Sequence, residues 1–145
     1  MRAPTELAGL EGEAVDVAEV IYRHFFQHNA SGAQSNAAFF AISYSGDGET
    51  TDARVAVLVS RFEDHTPAVV DAASLIKGVE GVKSPQIEGN GLLFYIAALE
   101  QDSSGRWIAN AGYYEASSSS SGNLVVVERV DGEWKVTSDE MQWIS

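Results

Sequence analysis

The chain has 145 residues, of which 21 are acidic and 9 basic for a net charge of −12, with 45% apolar content and no cysteine. That length buries one core well and two poorly, and enough bulky apolar side chains are present for the chain to fold unaided, so a single domain over residues 1–145 is expected. Disulfides and thiolate metal sites are excluded, and the dispersed negative charge repels phosphate backbones and anionic bilayers, so neither nucleic acid nor membrane is an expected partner. An acidic mimic of nucleic acid that occupies a basic protein is the exception, set against solubility as the plainer use of such charge.

The N-terminal stretch has no apolar run of signal-peptide length, and no segment approaches the roughly 20 apolar residues that span a bilayer. A soluble, cytoplasmic protein is expected, unless a leader has been cleaved from it. From Glu13 to His28, the apolar residues Ala14, Val17, Ala18, Ile21 and Phe25 recur at helical spacing, which predicts one face of a helix of about four turns. Asn29 to Asn36 ends it with turn-forming residues, and Ala37 to Ser45, with aromatics on both faces, reads as a mostly buried strand. Asp52 is a plausible helix cap, and Val55, Leu58, Val59 and Phe62 then follow at helical spacing. The alternation of valines at 55, 57 and 59 offers a strand as the rival, and helix is preferred.

Ala68 to Gly91 holds room for a short strand and a turn, and its glycines and Pro85 argue against any long element. Beyond it, four strand-like runs, Leu92–Glu100, Arg106–Ala116, Leu124–Val130 and Glu133–Thr137, predict an antiparallel meander, with Asp131-Gly132 as a tight hairpin turn. The serines Ser117 to Ser121 then fall in a hairpin loop of about seven residues ending at Asn123, either mobile or positioned over something. The apolar residues of the C-terminal Met141, Trp143 and Ile144 need docking, as a last strand or against a second copy. The elements together predict an α+β domain, two N-terminal helices packed on a strongly bent antiparallel sheet of about five or six strands.

The segments Gly91–Ile96, Gly112–Glu115 (Gly-Tyr-Tyr-Glu), Ser120–Asn123 (Ser-Ser-Gly-Asn), Asp131–Val136 and Asp139–Ser145 together resemble a group of small uncharacterised bacterial proteins. These share Gly-Tyr-Tyr-Glu, a Ser/Gly-Asn loop, Gly-x-Trp-x-Val and a terminal Met-x-Trp-Ile-Ser. The resemblance covers the last third of the chain and, more loosely, the first helix, and it implies a common fold without an activity. Where the group tends to carry a leucine in the loop, this chain has only serines. At the level of fold the predicted arrangement is similar to cystatin-like and NTF2-like rolls, in which the sheet wraps the helix and often leaves a pocket.

Among candidate sites, His24 and His28 share a helix face and could hold a metal only with a third ligand such as His65 or a carboxylate. Two imidazoles beside a core formed by Phe25 is the favoured reading, so no metal site is expected. Asp47, Glu49 and Asp52 lack the spacing of a calcium loop, and no phosphate-binding or dinucleotide motif is present, so no cofactor is expected. The aromatic run around Gly112 is the best pocket candidate. Trp107 and Tyr113 alternate onto one strand face, Asn110 and Tyr114 onto the other, with Glu115 at the rim. Trp107, Asn110, Tyr113, Tyr114 and Glu115 are therefore the expected ligand-pocket residues, against the plainer alternative of aromatics packed as core. With no nucleophile, base and orienting group at recognisable spacing, a non-catalytic binding or interaction module, partnered by a second copy, is the leading expectation. A small-molecule-binding protein or enzyme with a pocket between the sheet and the first helix is the alternative.

Overall fold

Helix α1 (Glu13–His28) forms where the apolar spacing predicts it and buries Ala14, Val17, Ala18, Ile21, Tyr22 and Phe25. Glu13 and Asp16 place negative charge in the first turn, where the exposed backbone N–H groups favour it. Tyr22 is completely buried, and its hydroxyl is satisfied by donating to the Ser43 carbonyl at 2.6 Å. The computed structural model from which these contacts are read describes residues 3–28, 37–44, 55–74, 76–78, 81–84, 87, 89–116 and 119–144. The loop carboxylates Asp47, Glu49 and Asp52 lie outside the described residues.

Strand β1 (Phe39–Tyr44) is buried at every position, because each of its faces meets a separate apolar cluster. Phe40, Ile42 and Tyr44 join α1 in the main core, while Phe39 and Ala41 pack with Ala72 and Leu93 on the far side. Helix α2 (Val55–Ser60) takes the helical alternative and buries Val55 and Leu58. The chain then continues in tighter turns, with the Arg61 and Phe62 amides donating to the Leu58 and Val59 carbonyls at 3.0 Å, so that Phe62 still reaches the core.

The segment after Pro67 supplies three short strands, β2 (Ala68–Asp71), β3 (Ile76–Gly78) and β4 (Gly81–Lys83). Four long ones follow, β5 (Asn90–Gln101), β6 (Trp107–Ala116), β7 (Ser119–Val130) and β8 (Glu133–Ile144). The last four pair as the predicted antiparallel meander. The sheet path is β2-β1-β5-β6-β7-β8, with the β3–β4 hairpin attached to β5. It is open, with β2 and β8 as its outer strands.

The expected roll of two N-terminal helices on a bent antiparallel sheet, cystatin-like or NTF2-like, does not form. Strand dominates the described residues, and α2 has only six residues. Strand β1 also runs parallel to both its neighbours, with Phe40 opposite Val69 and Leu92, so the sheet is mixed. Strand direction depends on the connections that carry the chain across the sheet, and a hydrophobic period does not encode them.

Three of the five loop serines are also placed differently from expectation, while Ser117 and Ser118 lie outside the described residues. Ser119 to Ser121 are strand, with Ser121 opposite Tyr113 and Asn123 opposite Ala111. Ser121 is 1% exposed because β7 is flanked by strands on both sides. Polar serines show no apolar alternation, yet their backbones enter a ladder like any others. A further consequence of pairing appears in β8, whose register to β7 slips at Val126/Val127 and again at Gly122/Asn123. Thr137 and Gln142 are thereby passed over, and the face presented by the strand changes twice.

Candidate functional site

Where α1 ends over the inner face of β6, β7 and β8, a cavity of about 170 Å³ is lined by Phe25, His28, Tyr113, Ser121, Asn123, Asp139 and Met141. Four of these are neighbours in the ladder: Tyr113 is opposite Ser121, and Asn123 is opposite Met141. The cavity thus has an apolar wall of Phe25, Tyr113 and Met141 and a polar one from β7, β8 and the helix end.

The polar wall is ordered by Asp139. His24 Nε2 lies 2.8 Å from Asp139 Oδ2, and Asn123 Nδ2 donates to Oδ1 at 2.6 Å. A carboxylate oxygen can only accept, so His24 carries its proton on Nε2. That hydrogen bond, joined by the one from Asn123, holds the Asp139 carboxyl below the usual carboxylate range in spite of partial desolvation. His28 stacks on His24 with ring centroids 4.8 Å apart, and its Nδ1 donates to the His24 carbonyl at 3.0 Å. Helical spacing of four makes both contacts possible.

Among the residues lining the cavity, Asn123 has a buried polar atom without a partner. It is 8% exposed, and its Oδ1 has no hydrogen-bond partner among the described residues. A buried carbonyl left in that state costs about 1–3 kcal/mol. The amide orientation is set by Asp139, since a flipped amide would bring Oδ1 against a carboxylate oxygen.

Of the five residues expected in a pocket, Tyr113 lines this cavity. Trp107 is on the same face but about 20 Å along β6 at the usual rise per residue, where it packs in the main core opposite Val127. Its indole Nε1 is buried without a partner among the described residues. Asn110 is on the other face and donates to the Pro4 carbonyl at 3.4 Å. Tyr114 packs beside the second cluster of Phe39, Ala41 and Leu93. Glu115 is half-buried at the slip between Tyr114 and Ala116, where β6 has one residue more than β7, and it is not among the residues lining the cavity.

His65, considered as a third metal ligand, lies instead against the rings of Phe26 and Phe40, and its Nδ1 donates to the Pro67 carbonyl at 2.8 Å. Among the described residues no three His, Asp or Glu side chains are grouped as metal ligands. Nor is any described helix long and apolar enough to cross a membrane.

The outer face of the same strands is built from glycine and aromatic rings. Tyr95, Gly112, Gly122 and Trp143 are successive cross-strand partners from β5 to β8. The Trp143 indole occupies the space where a Gly122 side chain would stand, and the Tyr95 hydroxyl reaches over Gly112 to donate to the Ser121 carbonyl at 2.8 Å. Burial pushes the Tyr95 phenol up to about 12. Rings laid over glycines stiffen a sheet where two residues contribute no side chain of their own.

Sequence reasoning did not bring Ser121, Asn123 and Asp139 together. The signal available was the tight Asp131-Gly132 turn, which starts the register with Val130 opposite Glu133. Continued without slips, that register pairs Asn123 with Glu140 and turns Asp139 to the wrong face. Comparison of the chain with protein-family models, with characterised proteins and with solved structures finds no match.

Proposed function

We propose that the protein binds a small molecule in the cavity between the end of α1 and strands β6 to β8. The observation that carries this reading is the cavity's mixed lining, rings and a thioether on one side and an ordered His-Asp-Asn group on the other. Pockets for drug-sized ligands run to about 300–1,000 Å³, whereas a protein cavity of about 150 Å³ accepts benzene. At about 170 Å³ the space suits one ring with a small substituent.

Met141 offers a direct assay, because the only other methionine is Met1. With methionine methyl groups labelled by carbon-13, saturable movement of the Met141 signal by single-ring compounds is expected, and two-ring compounds should leave it in place. If no ring-sized compound moves it at millimolar concentration, the cavity is not a ligand site.

A second reading is an interaction module that self-associates. Met141, Trp143 and Ile144 are 44%, 50% and 59% exposed on the outer strand β8, and a second copy would remove them from water. Sedimentation equilibrium showing a monomer across the micromolar range would discard it.

A further inference from the structure

Resting on the reading of self-association, we propose that the outer edge of β8 is an interaction surface for a second copy of this chain, whose β8 runs antiparallel to it about a two-fold axis between Thr137 and Ser138. Strand β8 has β7 on one side and no strand on the other among the described residues. The two-residue Asp131-Gly132 turn makes Val130 and Glu133 a hydrogen-bonded pair, and alternation then points the backbone groups of Trp134 and Val136 away from β7. The slip that passes over Thr137 shifts the alternation, so that beyond it the backbone groups of Asp139 and Met141 point outward. A regular strand falls out of step with these donors and acceptors at the slip, whereas a second copy brings the same slip to the same place. Trp134 opposite the partner's Met141, and Val136 opposite the partner's Asp139, then pair all four outward positions on each strand.

The side chains agree with that register. Trp134 and Val136 pack against the main core, Asp139 bonds to His24 of α1 and Met141 lines the cavity, so all four lie on the face that α1 covers. Each therefore meets a partner residue on its own face, as cross-strand neighbours must. On the outer face Lys135 falls opposite the partner's Glu140, and the two-fold repeats the pair. Within one copy Lys135 reaches Glu133 at 4.0 Å, with both side chains exposed. Moving the partner by two residues in either direction sets Lys135 opposite Ser138 or Gln142 instead, so this register is the one in which the opposite charges meet. It also brings the partner's Trp134 beside Met141, which is 44% exposed, and so extends the apolar wall of the cavity.

The chain has no cysteine, which makes cross-linking a clean test. Residues 135 and 140 of facing copies form a non-hydrogen-bonded pair with Cα atoms about 4.5 Å apart, within disulfide range. Along one strand the same two positions are roughly 16 Å apart, too far to close on themselves. Lys135→Cys/Glu140→Cys should therefore give a covalent dimer under mild oxidation at micromolar concentration, and neither single-cysteine variant should. In sedimentation equilibrium the parent chain should be a dimer. Lys135→Glu, which sets like charges opposite each other twice, should weaken association by about tenfold or more, and Lys135→Glu/Glu140→Lys should restore it. A parent monomer across the micromolar range overturns both this pairing and self-association. If the parent is a dimer but the paired cysteines give no cross-link or the charge exchange gives no rescue, this register is overturned and self-association through another surface stands. Lys135 and Glu140 are both exposed, so the fold does not depend on either side chain.

Discussion

Alanine at Gly112 and alanine at Gly122 should differ several-fold in cost, although the two glycines face each other across the same pair of strands. Neither has a positive φ, so backbone strain is equal and the difference is steric. A Cβ at Gly112 would stand 2.0 Å from the Ser121 carbonyl oxygen and 3.0 Å from the Tyr95 hydroxyl. The backbone cannot retreat without distorting the β6–β7 ladder, and the Tyr95 hydrogen bond to Ser121 goes with it. Overpacking at about 1–3 kcal/mol plus a hydrogen bond of about 1 kcal/mol gives roughly 2–4 kcal/mol. At about 3–4 °C per kcal/mol for a domain of this size, Gly112→Ala should lower Tm by roughly 6–15 °C. At Gly122 the nearest atom is Trp143 Nε1, 2.2 Å away, on a side chain that is 50% exposed and free to swing out. Gly122→Ala should therefore cost no more than about 1 kcal/mol, or roughly 4 °C. Thermal and urea unfolding followed by circular dichroism measure both. Equal losses, or a larger loss at Gly122, would refute the distinction between a backbone obstacle and a movable ring.

Four further outcomes follow from packing, exposure, charge and pairing. Phe26 sits about 5 Å, centre to centre, from the rings of Phe40, Phe62 and Phe94, so Phe26→Ala should cost about 3–5 kcal/mol in urea unfolding. The half-exposed Val57 should accept serine within about 0.5 kcal/mol. Asp102 accepts from Ser104 and Arg106 and is lowered to about 2, chiefly by the Ser104 side chain, and Asp139 is lowered by His24. A lowered carboxyl stabilises above the ordinary value of 3.8, and that contribution is lost as pH falls through the folded value. Asp102→Asn and Asp139→Asn should therefore each flatten the fall of the urea midpoint between about pH 4 and 2, and an unchanged slope would count against both networks. The Ser121 to Asn123 amides, in a strand with neighbours on both sides, should exchange slowly with deuterium, whereas a mobile hairpin tip would exchange within seconds.

The elements that could be read in advance were those whose side chains declare a period. The stripe of Val17, Ala18, Ile21 and Phe25 specifies α1, and Trp107, Ala109, Ala111 and Tyr113 specify the inner face of β6. The Asp131-Gly132 dipeptide specifies the last hairpin because Asp131 has φ 53° and Gly132 has φ 82°, both in the left-handed region such a turn requires. The strand at Ser119 to Ser121 could not be read, because its stability comes from backbone hydrogen bonds and neighbouring strands, to which a run of like polar residues gives no pattern. The short strands after Pro67 were equally hidden, since three or four residues hold no period at all.

The amino-acid sequence by itself determined the first helix, the four-strand meander and the alternation of Tyr113 onto its inner face, since each follows from local sterics and the side-chain period. Tertiary structure decided that β1 runs parallel to its neighbours, that a two-helix roll does not form, and that Asn123, Asp139 and His24 meet. The last depends on the one-residue slip between β7 and β8 at Val126/Val127. A slip of one residue reverses which side chains face inward, and it is chosen by the packing of the whole sheet against α1, not by the residues at the slip.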